Sequence, residues 1–331
     1  MSFRLLILFA EKLLLALAVM LSLSAAAQAA APMKRVRILF ADFSERMGLS
    51  FVAKDQHFFE EHGLEADLVQ VSSGPVAVAA MAANEAEFYT VSATGSALGA
   101  MVSGLDLVWV AGMINKLDGY FYVSPKIQKP DDLKGKIIGV QSMGGGIWMF
   151  TMMTFDHWGI SPERDKIQLR VIGDQSVLVQ ALGAGIIDGA VLGYAYSSVV
   201  QRNGGRLLAD LGSLKIPYQG TGLAARRSFI AGSPDTVEKT LRAFVKANAF
   251  LQDKNNQPAV VRSLRKWLRL SASENTDDLY ERTKSLYDRR ISPTREGVQN
   301  ALRVLSKADP KFAKLRVDDL IDDRIAHKLE N

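Results

Sequence analysis

The feature that most constrains this chain is a regular alternation of short apolar, strand-like runs with helical patterns. Strand-like runs cover residues 36–41, 64–71 and 88–91, and each is followed by a segment of helical pattern. A fourth run covers 107–111. Strands joined by such short helical connections pack side by side as largely parallel sheets with helices on their faces. The alternation therefore predicts an α/β architecture.

The same alternation begins again near residue 120. Further strand patterns cover 120–123, 137–140, 167–172, 189–192, 207–210 and 221–225. Beyond them the pattern is helical, over about 233–255, 257–268, 274–287 and 293–307. Helix is also expected over 48–61, where apolar residues recur at helical spacing before Gly63.

Two α/β units followed by a helical tail predict two lobes. We expect crossing segments near 112–122 and 216–225, and a tail that returns to the first lobe. The expected domains are a signal peptide at 1–31, the first part of lobe 1 at 32–119, lobe 2 at 120–222, and a return to lobe 1 with C-terminal helices at 223–331.

Residues 1–31 have the pattern of a removable export signal. Basic residues at the start precede an apolar run over 13–23, and small residues then end in Ala27-Gln28-Ala29. The apolar run is shorter than the roughly 20 residues that span a bilayer. The alternative is an uncleaved anchor extended back through residues 5–10, which would place Glu11 and Lys12 in lipid. We expect cleavage near Ala29 to Ala31 and a periplasmic location.

Cysteine is absent from all 331 residues. Its absence excludes disulfides, thiolate catalysis and cysteine-based metal sites, and it removes the residue that would carry a lipid anchor. The formal charge of +5 is spread over interspersed acids and bases. Such mixing is typical of solvated helix faces rather than of a nucleic-acid-binding stripe. We expect a soluble monomer without nucleic-acid partners.

Common catalytic motifs are missing from the sequence. It contains no Gly-x-Ser-x-Gly elbow, no Walker loop and no His-Glu-x-x-His, and its four histidines are scattered. Gly183-Ala184-Gly185 ends a helical pattern and precedes a strand, the reverse of the order in a dinucleotide site. We expect no metal, no cofactor and no enzymatic activity.

Polar or glycine-rich loops follow the predicted strands. In open α/β sheets, ligands bind beyond the carboxyl ends of the strands, where the winding reverses. This rule selects Asp42-Phe43-Ser44, Ser72-Ser73-Gly74, Ser92-Ala93-Thr94, residues 141–146, Asp174-Gln175-Ser176 and Gly193-Tyr194.

The segment Ser142-Met143-Gly144-Gly145-Gly146 follows a strand and opens a helix. Free backbone N–H groups and the positive end of the helix dipole therefore face any ligand bound there. A charge at this position gains about 0.3–1 kcal/mol, whereas micromolar binding requires about 8 kcal/mol. The opposite lobe must therefore contribute. A glycine-rich turn that serves only backbone geometry is the alternative.

Several other side chains are candidates for the cleft. Asp42 and Phe43 could present a carboxylate and an aromatic face, or else cap a helix and pack in the core. Trp148 and Tyr194 are stacking walls or core residues. Arg46 and Lys116 could pair with an acidic ligand, but we expect both at the surface. The candidate ligand-binding set is Asp42, Phe43, Ser44, Ser73, Ser92, Asn115, Ser142, Met143, Gly144, Gly145, Trp148 and Tyr194.

Three segments together resemble a known family. They are Val52-Ala53-Lys54 with the following Phe58-Phe59-Glu60-Glu61-His62-Gly63-Leu64, Asp131-Asp132-Leu133-Lys134-Gly135-Lys136-Ile137-Ile138-Gly139-Val140, and Ala181-Leu182-Gly183-Ala184-Gly185-Ile186-Ile187-Asp188-Gly189-Ala190. In order and spacing they resemble periplasmic ligand-binding proteins of ABC importers, in the nitrate, sulfonate, taurine and thiamine-precursor group. The resemblance covers about residues 34–306.

The resemblance implies a two-lobed venus-flytrap fold that closes over one small molecule, anionic or heterocyclic, and docks on a membrane permease with its ATPase. It also implies that Ser44, Ser73, Ser92, Ser142, Met143, Gly144 and Tyr194 line the cleft. Two alternatives stay open. One is a binding protein that reports its ligand to a membrane receptor. The other is an enzyme like the thiamine-pyrimidine synthases, although that branch uses a cysteine-rich motif that is missing here.

Overall fold

The computed structural model describes residues 32–41, 43–270 and 276–330. The expected signal at 1–31 and the candidate Asp42 lie outside these residues. The strands are β1 (Lys34–Phe40), β2 (Leu64–Gln70), β3 (Phe88–Val91), β4 (Leu107–Gly112), β5 (Tyr120–Val123), β6 (Ile137–Val140), β7 (Gln168–Val171), β8 (Gly189–Leu192), β9 (Arg206–Asp210) and β10 (Gly222–Arg226).

The helices are α1 (Gly48–Asp55), α2 (Phe58–Glu61), α3 (Gly74–Ala82), α4 (Gly95–Val102), α5 (Gly146–His157), α6 (Gln175–Gly183), α7 (Ser197–Arg202), α8 (Arg227–Gly232), α9 (Pro234–Gln252), α10 (Gln257–Leu268), α11 (Thr276–Leu286), α12 (Arg295–Ala308) and α13 (Arg324–Glu330). Across the described ranges, no helix combines the length and the apolar character that crossing a bilayer requires.

Two five-stranded sheets organise the chain, one in each lobe. Lobe 1 is built on the order β2-β1-β3-β10-β4 and lobe 2 on β7-β6-β8-β5-β9. Strand β1 runs parallel to β3, and β6 runs parallel to both β7 and β8. The α/β fold with two lobes is therefore confirmed. The residue boundaries expected between the lobes stay a prediction.

One strand in each sheet runs against its neighbours. Strand β10 is antiparallel to β3 and β4, and β5 is antiparallel to β8 and β9. Both are the first strands after a crossing between the lobes. The chain therefore enters each sheet in the opposite direction, which the expectation of largely parallel sheets did not include.

The helix expected over 48–61 is divided in two. His57 adopts a left-handed conformation with φ of 60° between α1 and α2. Just before this break, Asp55 accepts hydrogen bonds from Ser263 Oγ at 2.9 Å and from Trp267 Nε1 at 3.2 Å. These side chains of α10 hold the end of α1, so the chain turns there rather than continuing the helix.

The C-terminal helices pack on lobe 1. Helices α9 and α10 both contact α1, and the rings of Phe51 and Trp267 stack with centroids 4.9 Å apart. Further along the chain, the backbone N–H of Trp109 donates to Leu320 O, and the backbone carbonyl of Trp109 accepts the Asp322 N–H, each at 2.9 Å. The segment before α13 thus extends the edge of the lobe 1 sheet beside β4.

Two segments that cross between the lobes lie side by side. The Leu117 N–H donates to Ile216 O at 3.2 Å, and Lys116 pairs with Pro217 in an isolated antiparallel bridge. Thr221 O accepts from the N–H groups of Met113 at 2.7 Å and Ile114 at 2.9 Å. The lobes are therefore connected by a short two-stranded ribbon.

Candidate functional site

A cavity of about 60 Å³ lies between the two lobes, at the carboxyl ends of the parallel strands. One water needs about 10–15 Å³ on this measure, so the cavity accommodates a ligand of a few non-hydrogen atoms. Lobe 1 lines it with Ala41, Arg46, Gly74, Tyr89, Thr90, Val91, Ser92 and Thr94. The crossing segment contributes Asp118 and Gly119. Lobe 2 completes the lining with Gln141, Gly146, Ile147, Phe150, Gln175, Val191, Leu192 and Gly193.

Arg46 provides a buried positive charge in this lining. Its Nη1 donates to Asp118 Oδ1 at 2.7 Å, and the two side chains are only 6% and 1% exposed. Its Nη2 lies 3.3 Å from both Ser92 Oγ and Thr221 Oγ1. The guanidinium carbon is 4.3 Å from the centroid of the Phe150 ring, a distance typical of a cation–π contact.

The expectation that Arg46 lies at the surface is wrong. A short 3-10 turn, Glu45–Met47, follows β1, and Ser44 caps it by accepting the Arg46 N–H at 3.3 Å. This turn aims the Arg46 side chain into the cleft. Its charge is tolerated there because Asp118 neutralises it.

Glu45 holds lobe 2 from the other side of the same turn. Its buried carboxylate accepts the N–H of Tyr194 at 2.7 Å and the N–H of Ala195 at 3.2 Å. Both donors lie directly after Gly193, which lines the cavity at the end of β8. A lobe 1 carboxylate thus occupies a pair of lobe 2 backbone donors beside the cavity.

Four helices begin at the cavity. Gly74, Gly146 and Gln175 are the first residues of α3, α5 and α6, and Thr94 caps α4 by accepting the Ala97 N–H at 3.2 Å. The first N–H groups of a helix have no partner within it and carry the positive end of its dipole. Thr94 and Asp174 occupy donors of α4 and α6, so the uncapped starts of α3 and α5 offer backbone donors from the two lobes.

The glycine-rich loop before α5 brings the backbones of the two lobes into contact. Gly144 has φ of +72°, and its carbonyl accepts the Ser96 N–H at 2.9 Å. A Cβ on Gly95 would lie 3.3 Å from Gly144 Cα. Glycine is required here by backbone conformation and by this close approach. Of the five residues of the loop, Gly146 lines the cavity.

Gln141, just before this loop, joins the lobes through its side chain. Its Nε2 donates to Ser72 O at 2.9 Å and to Ala41 O at 3.3 Å. Gln175 fixes the opposite wall, because its Oε1 accepts the Gly193 N–H at 2.6 Å. Both amides therefore shape the cavity by holding neighbouring backbone.

Of the predicted candidate set, Ser92 lines the cavity and several others lie close to it. Ser44 caps the turn that carries Arg46. Phe43 O accepts a hydrogen bond from Tyr196 of lobe 2 at 3.2 Å. Ser73 immediately precedes α3.

The remaining described candidates lie outside the lining. Met143 is 53% exposed, and Asn115 donates to Ser292 O at 3.0 Å beside the crossing segments. A Cβ on Gly95 would come within 3.3 Å of Trp148 Cζ3, so Trp148 packs where the lobes meet. Tyr194 packs edge-on against Tyr120 with centroids 4.5 Å apart. Ser142, Gly144 and Gly145 shape the loop before α5.

Sequence reasoning missed the buried charges of the site. Thr94, Gln141 and Gln175 stand in loops that the strand-end rule selected, although they were not chosen as candidates. Asp118 lies in a crossing segment, to which that rule does not apply. Its pairing with Arg46, 72 residues away, leaves no local signal in a single sequence.

Burial keeps the phenols near the site in their neutral form. Desolvation raises the pKa of Tyr218, whose hydroxyl donates to Ala93 O at 3.0 Å. Desolvation likewise raises the pKa of Tyr194 well above the ordinary tyrosine value. Within the described residues, no group of three or more histidines and carboxylates is placed to hold a metal ion.

Two α/β lobes, joined by two crossing segments and enclosing a cavity at their strand ends, define the class of periplasmic-binding-protein folds. The chain belongs to the NMT1/THI5-like family, whose sequence profile matches residues 45–257. The resemblance deduced from the three sequence segments is thereby confirmed.

One curated relative resembles part of the chain at lower similarity. The binding protein YtlA of Bacillus subtilis (strain 168) is 25% identical over 209 residues, which are 61% of this chain and 62% of YtlA. The chain thus spans less than two thirds of that relative.

Solved structures share the fold. The alkanesulfonate-binding protein SsuA of Xanthomonas axonopodis pv. citri, bound to MOPS, has a TM-score of 0.67 and 19% identity over 90% of this chain and 98% of its own. The periplasmic nitrate-binding protein NrtA of Synechocystis PCC 6803 has a TM-score of 0.70 and 12% identity, covering 89% and 88%. At these identities the likeness concerns the fold alone.

Proposed function

We propose that this protein is the periplasmic solute-binding component of an ABC importer, which captures a small molecule between its lobes and delivers it to a membrane permease and its ATPase. The cavity lined by both lobes carries this proposal. A ligand there contacts lobe 1 and lobe 2 together, so its binding favours the arrangement in which they touch.

The relatives support capture rather than catalysis. YtlA, SsuA and NrtA are all described as binding proteins, and the last two bind alkanesulfonates and nitrate. The proposal includes export, the absence of a lipid anchor, a monomeric state and a ligand that is either anionic or heterocyclic. It also includes the absence of enzymatic turnover.

Gly146 offers a test of the site, since it lines the cavity and a Cβ built on it meets no atom within 4 Å. We expect Gly146→Leu to fold and to lose ligand binding, because the added side chain has room and extends from the cavity wall. Gly232→Leu is the matched control, since Gly232 ends α8 outside the cavity lining and is equally unobstructed.

The measurement is a thermal-shift screen over alkanesulfonates, inorganic anions, aromatic acids and amidic heterocycles. A compound at about 100 times its Kd adds about 2.7 kcal/mol to folded-state stability, or about 5 °C or more in Tm. We expect such a shift in the wild type and in Gly232→Leu but not in Gly146→Leu. Equal shifts in all three would place the site elsewhere, and turnover of the bound compound would contradict a carrier.

A further inference from the structure

We propose that the cleft selects a small ligand without net charge, such as an amide or an uncharged heterocycle, and discriminates against free anions. This inference rests on the proposed function and narrows it. The observation behind it is that the chain's own carboxylates occupy the positions where an anion would be held.

The first such position is the guanidinium of Arg46. Among the described residues of the lining, Arg46 is the only basic one and Asp118 the only acidic one. They are 2.7 Å apart and almost fully buried. An anion that approached Arg46 would have to displace Asp118 or lie beside its negative charge. Both routes are unfavourable in a buried site, because like charges repel strongly where water is excluded.

The second position is the pair of backbone donors after β8. The N–H groups of Tyr194 and Ala195 face lobe 1, and the Glu45 carboxylate already accepts both. A Cβ on Gly193, which lines the cavity, would lie 3.1 Å from Glu45 Oε1. A second buried carboxylate therefore lies behind Gly193, next to the lining, and adds to the repulsion of an anion.

Positive charge at the cavity wall disfavours a cationic ligand, and it comes from the starts of helices. Helices α3 and α5 begin at the cavity without a side-chain cap and direct the positive ends of their dipoles towards it, whereas Asp174 caps the start of α6. These ends suit the partial negative charge of a carbonyl or ring nitrogen. The hydroxyls of Thr90, Ser92 and Thr94 can donate or accept. The lining therefore matches a neutral molecule that carries both donors and acceptors.

The test compares isosteric pairs on the purified protein by calorimetry and thermal shift. The pairs are methanesulfonamide with methanesulfonate, acetamide with acetate, and urea with nitrate, and methylammonium serves as the cation. We expect the neutral member of the preferred pair to bind at least tenfold more tightly than its anion. An anion or the cation that binds as tightly as the neutral compound would overturn the inference.

Asp118→Asn provides the second arm, because it removes the charge that neutralises Arg46. We expect this variant to be less stable and to acquire binding of methanesulfonate or nitrate, which should raise its Tm. Asp131→Asn removes a carboxylate whose side chain is 68% exposed and paired with Lys134, and should keep the wild-type preference. If Asp118→Asn does not fold, the comparison of the isosteric compounds on the wild-type protein alone decides whether the inference holds.

The outcomes also separate this inference from the proposed function. A wild-type protein that binds an anion of the panel remains a solute-binding protein but contradicts the inference. If no panel member binds, native mass spectrometry of the purified protein identifies any compound that it retains, and the charge of that compound decides. Absence of both binding and a retained compound would contradict the proposed function itself.

Discussion

At the scale of single residues, the depth of the ion pairs separates the cleft from the rest of the surface. Arg46 and Asp118 are 6% and 1% exposed, whereas Lys134 and Asp131, which also pair, are 54% and 68% exposed. Exposed pairs contribute about 0–1 kcal/mol, while removal of one partner from a buried pair costs about 3–5 kcal/mol. We therefore expect the cleft pair to matter for folding as well as for the proposed ligand selection.

Asp288, close to the crossing segments, has an unfavourable charge. Burial raises its pKa above the ordinary 3.8, and Lys116 and Asn115 only partly oppose this. When folding raises the pKa of a carboxyl group, the contribution of that group to the free energy of unfolding is fully present below its ordinary pKa. This contribution is lost as the pH rises through the pKa that the group has in the folded protein. At neutral pH the charged carboxylate therefore destabilises the fold.

We expect Asp288→Asn to raise Tm at neutral pH, because the amide removes the buried charge and retains an acceptor. The gain should shrink as the pH falls and vanish below the ordinary pKa of 3.8. Thermal unfolding between about pH 3 and pH 8 measures it. Asp235→Asn, at a side chain that is 78% exposed on α9, is the control. A lower Tm for Asp288→Asn at neutral pH would contradict this account.

A site residue can be predicted from the sequence when neighbouring residues fix its position, but not when distant residues do. Ser92 was accessible to prediction because it directly follows β3, where the strand-end rule applies. The burial of Arg46 was not, since it depends on Asp118 and on Thr221, the latter 175 residues away. Without knowledge of such long-range partners, an arginine is expected at the surface.

At the scale of elements, short buried strands were predicted most accurately. The predicted ranges 88–91, 120–123, 137–140 and 189–192 coincide with β3, β5, β6 and β8, because apolar runs between turn residues define both ends. The opposite direction of β5 and β10 depends on how the chain crosses between lobes, and periodicity carries no such information. Helix α13 was not predicted, because its packing on lobe 1 depends on distant residues.

A surface contact also joins α5 of lobe 2 to α12, which packs on the 3-10 turn Pro310–Lys314 beside α4 of lobe 1. Asp156 of α5 pairs with Arg303 Nη2 at 2.6 Å and with Lys307. Burial raises the pKa of Asp156, but the hydrogen bonds from the two cations outweigh it and hold that pKa below its ordinary value. The carboxylate is therefore charged at neutral pH and holds the lobes together.

We expect Asp156→Asn to weaken ligand binding by about two- to fivefold, the range of an exposed ion pair. The loss should diminish as salt concentration rises, since salt screens the wild-type pair. Calorimetry with the compound found in the screen, at low and high salt, measures it. Asp235→Asn again serves as control, because its pair with Lys239 lies within α9. A loss that does not depend on salt would assign Asp156 a role in packing instead.

At the scale of the whole molecule, we expect the ribbon of crossing segments to act as a hinge about which the lobes rotate as rigid bodies. Its hydrogen bonds join the two segments to each other, as between Leu117 and Ile216. Hinges of this kind take up backbone rotation at a few residues. The contacts between Glu45 and Tyr194, and between Ser96 and Gly144, would open while each sheet stays intact.

Small-angle X-ray scattering tests this motion. We expect the radius of gyration to fall when the compound found in the screen is added to the wild type, because the ligand favours contact between the lobes. Gly146→Leu should show no such fall, since we expect this variant not to bind the ligand. A wild-type radius that stays the same at saturating ligand would rule out closure.

The position of β10 also determines the order in which the molecule can be assembled during synthesis. Every strand of the lobe 2 sheet has been made once residue 210 is complete, but the lobe 1 sheet requires β10, at Gly222–Arg226, between β3 and β4. Pairings between residues so far apart in sequence form slowly. Lobe 2 can therefore begin to fold while β4 still waits for β10 to join it to the other three strands of the lobe 1 sheet.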